Sequence, residues 1–93
     1  MTWKKRDYSD PHYKQFRLDV LRRDRFTCQM CGHKRKYDLH VHHLLTWADC
    51  PTLRYERGNG ITLCKTCHEQ VTGHESSYAS YLNEIVKKNE RRT

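Results

Sequence analysis

The chain has 93 residues, 35% of them hydrophobic, and a formal net charge of +7. A chain this short makes one domain with a thin core, and such domains commonly need a metal or a disulfide to hold them. No stretch approaches the roughly 18 apolar residues of a membrane span, and the polar, basic opening at residues 1–6 does not read as a signal peptide. A cytoplasmic setting is therefore expected, where thiols stay reduced and bind metal rather than pair.

The charge is placed unevenly. Residues 1–25 carry eight basic side chains against four acidic ones, residues 87–93 carry four against one, and the stretch between is balanced. Basic ends around a neutral centre suit a polyanionic partner, with lysine and arginine neutralising phosphates. A basic surface that only confers solubility gives the same composition.

The first predicted element is a helix. Asp10 can cap it, Pro11 suits its first position, and Tyr13, Phe16, Val20 and Leu21 recur at helical spacing up to about Arg23. Lys14, Arg17 and Arg22 fall on its polar face. A tight turn follows at residues 28–32, where Gly32 is free to take the positive φ such turns often need. Residues 37–45 read as a strand with Leu39 and Val41 on one side and His40 and His42 on the other. Adjacent His42 and His43 point apart in an ideal strand, so a shared site requires the strand to twist or end there. Residues 46–60 form a long polar loop, residues 61–63 a second strand, and Thr66 with Glu69 a capping box for a short helix that Gly73 stops. Ser76 or Ser77 can cap a last helix, with Tyr78, Tyr81, Leu82, Ile85 and Val86 as one apolar stripe. The division along the chain is a basic helical region at 1–25, a knuckle and β-β-α centre at 26–73, and a helix with a basic tail at 74–93.

Chemistry concentrates in the centre. Cys28-Gln-Met-Cys31 and Cys64-Lys-Thr-Cys67 have the spacing of a tetrahedral four-thiolate zinc site. Between them stands the doublet His42-His43, and His68 follows the last cysteine. A zinc knuckle that only staples a fold has no use for these histidines, so the pattern implies a stapled scaffold carrying a second site. Cys50, before Pro51, has no partner at ligand spacing and reads as a free thiol.

Taken in order, C-x-x-C-G, L-x-V-H-H and N-x-x-x-L-C-x-x-C-H resemble the HNH endonucleases of the ββα-metal superfamily, over about residues 26–68. The preceding R-R-D-R-F-T-C-Q-M-C-G is similar to the small zinc-containing members of phage or bacterial origin. The resemblance implies an α+β fold, a ββα-metal core with a four-cysteine zinc knuckle and flanking helices. It implies that Cys28, Cys31, Cys64 and Cys67 bind a structural zinc ion and that His42 and His68 bind a catalytic divalent cation (Mg2+, Mn2+, Ni2+ or Zn2+). His43 would be the general base, and Asn59 would fix the loop and the orientation of His43. Many relatives carry Asp where this chain has His42, a difference that bears on metal preference. The expected activity is hydrolysis of DNA phosphodiester bonds, nicking or weakly specific, in a bacterial or phage-infected cell, alongside other phage or bacterial DNA-processing proteins.

The residue types suit that chemistry. Neutral imidazole takes up a proton near pH 7, and a cation with only two or three protein ligands keeps positions open for phosphate. Arg54 and Arg57, in the loop before Asn59, are candidate phosphate clamps through their forked donors, or else solvated loop charges. Tyr55 and Trp47 read as loop packing. His12, His33, His40 and His74 match no motif position and read as ordinary histidines. The alternative function is a non-catalytic zinc-stabilised module that binds nucleic acid or protein, such as a phage packaging accessory; it has no need for His42 and His43.

Overall fold

The computed structural model describes residues 9–34, 38–44 and 55–92. In chain order they form α1 (Pro11–Arg23), β1 (Leu39–His43), a 3₁₀ turn (Arg57–Asn59), β2 (Gly60–Cys64), α2 (Lys65–Val71) and α3 (Glu75–Arg92). Tyr37, Leu45, Trp47, Cys50, Pro51 and Arg54 lie outside the described residues. Among the described residues, no helix is long and apolar enough to cross a membrane.

Helix α1 starts as its sequence dictates. The Asp10 carboxylate accepts the His12 N–H at 2.9 Å, and Pro11 occupies the first helical position, where a missing N–H costs nothing. Tyr13, Phe16, Val20 and Leu21 are all buried. Arg17 departs from the expected polar face, because its guanidinium donates to the Leu39 carbonyl at 3.3 Å and tethers α1 to β1. The helix ends in two consecutive left-handed residues, Arg25 (φ +57°) and Phe26 (φ +52°), with the Phe26 N–H donating to Leu21 O. That reversal sends the chain into the cysteine knuckle, where Gly32 has φ +82° and the Cys28 N–H bonds the His33 carbonyl.

The strands pair antiparallel, with Leu39 opposite Cys64 and His43 opposite Gly60. All five residues of β2 are buried, because α1 and α3 cover what β1 leaves open. Ile61 and Leu63 join Leu21, Leu39, Val71, Leu82 and Val86 in the main core, while Tyr13, Phe16 and Val20 form a second cluster. Val41 packs against both. Each fully buried aliphatic side chain contributes about 1.5–3 kcal/mol, and there are few of them.

Three local expectations change. Cys64, not Thr66, caps α2: its Sγ accepts the Cys67 N–H at 3.5 Å, so the side chain that ends the strand also starts the helix. Helix α3 begins at Glu75, before Ser76 and Ser77, and the Glu75 carboxylate takes the Gly73 N–H. Tyr81 is 49% exposed and leaves the stripe, which runs instead through Leu82 and Val86 to the buried Asn89. The Asn89 amide donates to Asp24 at 2.8 Å and to Gln29 at 2.9 Å, which is why a polar residue ends an apolar face.

A buried ionic group ties these elements together. Arg23 uses all five of its N–H donors, on both Asp24 oxygens, on Glu90, and on the carbonyls of Arg57 and Gly60. Asp24 accepts the Thr62 N–H as well. The two carbonyls held by Arg23 flank Asn59, so α1 fixes the backbone that enters β2.

Candidate metal and catalytic site

The four cysteine sulfurs converge, all within 4.8 Å of one another. The knuckle turn supplies two and the β2–α2 junction supplies two. Four thiolates at about 2.3 Å from a tetrahedral centre stand roughly 3.8 Å apart, and Cys31 Sγ lies 3.6 Å from Cys64 Sγ. The donor set thus has the size zinc requires. Its electrostatics call for a cation too. Burial and neighbouring thiols push the Cys67 thiol far up, so several thiolates coexist only around positive charge. At Cys28 burial opposes ionisation, but backbone hydrogen bonds at Cys31, Cys64 and Met30 outweigh it and bring the pKa down to about 7. These four are the only group of three or more convergent ligand atoms among the described residues.

The histidines occupy the two sides of β1. His43, odd in the alternation with Leu39 and Val41, turns toward α1 and stacks on Phe16, ring centroids 4.9 Å apart and planes 18° from parallel. His42 turns toward α2, where its ring meets His68 edge to face at 5.5 Å and 71°. His42 and His43 are each less than 10% exposed, at 8% and 6%. His68 is half-buried in α2. The strand ends directly after His43, and Leu44 N–H bonds the Asn59 carbonyl at 2.8 Å.

Two imidazoles that bind one ion through ring nitrogens at about 2.1 Å have centroids roughly 4.5–5.6 Å apart for ordinary coordination angles. The 5.5 Å between the His42 and His68 ring centroids falls within that range. His42 is also in the right protonation state. Burial first, then repulsion by His68, lowers its pKa to about 4, despite partial support from Glu75. A neutral imidazole has its lone pair free for a metal.

His40 stacks on His68 with ring centroids 5.2 Å apart and planes 12° from parallel. Lone pairs confined to two stacked, nearly parallel planes do not meet at one ion, so His40 supports the His68 ring rather than adding a ligand. The strand alternation already placed His40 beside His42, and that was the signal for it. Glu75, which feels His42 electrostatically, gave no such signal, since an acidic residue in a first helical turn is ordinary. Phe16 counted only as core. Gly60 also escaped: a Cβ there would meet Phe16 and Val20, each at 2.8 Å, so glycine lets α1 lie against the hairpin beneath His43.

Asn59 is buried in the 3₁₀ turn, one residue before the Gly60–His43 pair, and its N–H bonds the Glu56 carbonyl. Arg57 forms a two-pronged pair with Glu90, both hydrogen bonds 2.8 Å long, which raises its pKa and holds that of Glu90 below the ordinary range. Its guanidinium is therefore turned toward α3. Tyr55 packs as expected: its hydroxyl donates to Asp10 at 3.2 Å and its ring lies near Phe16 and His12. His12 hydrogen-bonds Asp10, His33 lies 3.3 Å from Asp38, and His74 is exposed between α2 and α3.

A two-stranded hairpin followed by a helix, stapled by four cysteines and with imidazoles on the strand and the helix, defines a small ββα-metal protein. Residues 28–73 match the family model described as HNH endonuclease, so this part of the chain is an HNH endonuclease domain. No curated protein and no solved structure matches the chain.

Proposed function

We propose that the protein is a metal-dependent endonuclease that hydrolyses DNA phosphodiester bonds, with His43 as general base and one divalent cation held by His42 and His68. The pairing of His42 with His68 carries this reading. It joins two imidazoles from distant parts of the chain at ligand spacing, outside the cysteine site that already holds the fold. A divalent cation bound there would stabilise charge on the phosphate and on the departing 3′ oxygen. His42 and His68 orient that charge and leave other positions open to substrate. His43 accepts the proton of the attacking water at a ring nitrogen, with its ring plane fixed by Phe16. Asn59 holds the turn against which His43 is registered.

The depth of His43 favours the second reading, in which the histidine only packs and the domain binds without cutting. Incubation of supercoiled plasmid with Mg2+, Mn2+ or Ni2+, using wild type and His43→Ala, separates them. Cleavage by wild type alone is expected. Equal cleavage by His43→Ala would remove the mechanism and leave a zinc-stabilised binding module.

A further inference from the structure

Away from the histidines, the C-terminal ends of α1 and α3 and the 3₁₀ turn enclose a cleft of about 290 Å³. It is lined by Asp19, Arg22, Arg23, Arg25, Arg57 and Arg92. Five guanidiniums converge there, but they are not equivalent. Arg23 is neutralised by Asp24, and Arg23 and Arg57 share Glu90. Among the described residues, Arg92 bonds a neutral acceptor, the side-chain oxygen of Asn89, and has no ion pair. Arg22 and Arg25 have no ion pair among the described residues. Asp19, whose carboxylate also takes the Gln15 amide, is the acid left to face these three.

Like charges gathered in a concavity repel one another and strengthen the local field for anions. The backbone points the same way. Arg25 stands at φ +57°, in the left-handed region that glycine adopts without strain. A long cationic side chain is thus held where the backbone alone would favour glycine. The cleft is nevertheless connected to the histidine site through α1 and the 3₁₀ turn. Arg23 is two helical turns, roughly 10 Å, along α1 from Phe16, on which His43 stacks. The 3₁₀ turn lines the cleft with Arg57 and carries Asn59 at its other end.

We propose that this cleft is a second binding site, one that seats a backbone phosphate of the nucleic-acid substrate between Arg22, Arg25 and Arg92. Asp24 and Glu90 hold Arg23 and Arg57 as its rigid wall. The proposal rests on the nuclease reading for the identity of the polyanion, and its test does not require cleavage.

The test uses the zinc-loaded full chain, a fluorescently labelled DNA duplex and no added divalent cation, across a salt titration. Arg22→Gln with Arg25→Gly should weaken binding at least tenfold near physiological salt. It should also make the log–log salt slope shallower by about 0.9 for each phosphate that is no longer neutralised. The melting temperature should hold or rise, since repulsion and backbone strain are both relieved. Arg92→Gln should act in the same direction with a smaller loss. Lys34→Gln with Lys65→Gln removes equal charge from exposed positions outside the cleft and should cost markedly less affinity. An equal loss in that control would reduce the effect to net charge and overturn the proposal. Displacement of the duplex by inorganic phosphate at matched phosphate concentration would reassign the cleft to a free anion and overturn it as well. Wild-type affinity in the arginine variants would remove the cleft alone, whereas a wild type with no affinity for duplex would remove the nucleic-acid reading with it.

Discussion

His42 and His43 are neighbours in sequence and opposites in environment. Strand alternation sends one ring to α2 and the other to α1, so adjacent identical side chains reach different chemistry. Substitution should separate their roles. His42→Ala or His68→Ala should weaken cation binding in a calorimetric titration, with cleavage partly restored by excess metal. His43→Ala should keep cation affinity and lose cleavage by about two to four orders of magnitude, the usual contribution of a positioned proton acceptor, with no rescue by metal. The pKa of His42, near 4 when folded against 6.5 for a free imidazole, also makes a stability prediction. The unfolded chain takes up this proton first, so stability is intact above about pH 6.5 and falls as pH drops toward 4. Melting curves recorded with no divalent cation at His42 and His68 should show that His42→Gln loses less stability than wild type across this window. Parallel curves would mean that His42 is not held neutral by its surroundings.

At the scale of elements, α1 is the platform on which the hairpin is aligned. Phe16 touches His43 in front and would be struck by any Cβ at Gly60. Gly60→Ala should destabilise the fold by about 1–3 kcal/mol, the usual cost of overpacking, and lower cleavage beyond what the stability loss explains. Denaturant titration beside the plasmid assay measures both. The second fastening is ionic. Arg23 and Asp24 have fully buried side chains, and removing one partner of such a pair leaves an uncompensated buried charge. Asp24→Ala should therefore cost about 3–5 kcal/mol, enough to unfold most small domains, and a stable Asp24→Ala would show that Glu90 alone compensates Arg23. Because the same group bonds β2 and α3, the loss should appear as one cooperative transition.

For the whole molecule, four cysteines cluster beside the core of a 93-residue chain, at the size where a metal commonly supplements hydrophobic burial. Folding should be coupled to zinc. Cys67→Ser should lose helical circular dichroism and zinc together, and elemental analysis of wild type should give about one zinc per chain for a single all-thiolate site. A folded Cys67→Ser would show that the two hydrophobic clusters and the Arg23 group suffice. The distribution of charge follows the same division of labour. The clustered cysteines and His42, His43 and His68 lie in the charge-balanced stretch, while arginines at the C-terminal ends of α1 and α3 meet in the cleft.

The sequence by itself determined what depends on short-range spacing. Cap and period set α1, alternation set β1, C-x-x-C pairs announced the four-cysteine cluster, and the order of motifs announced the HNH domain. Its misreadings were local too: Thr66 and Ser76 are good caps, but Cys64 and the Glu75 start displaced them, because a thiol and a carboxylate were already positioned by neighbouring structure. Only the tertiary structure decided what depends on distant partners. Arg57 looked like a free clamp until α3 placed Glu90 against it. His40 looked incidental until α2 laid His68 on its ring, and Gly60 was merely the last residue of a loop until α1 closed over it. Spacing along a chain records periodicity and bonding to near neighbours. Which far residue arrives to pair a charge, stack on a ring or fill the place of a missing Cβ is fixed only when the elements pack.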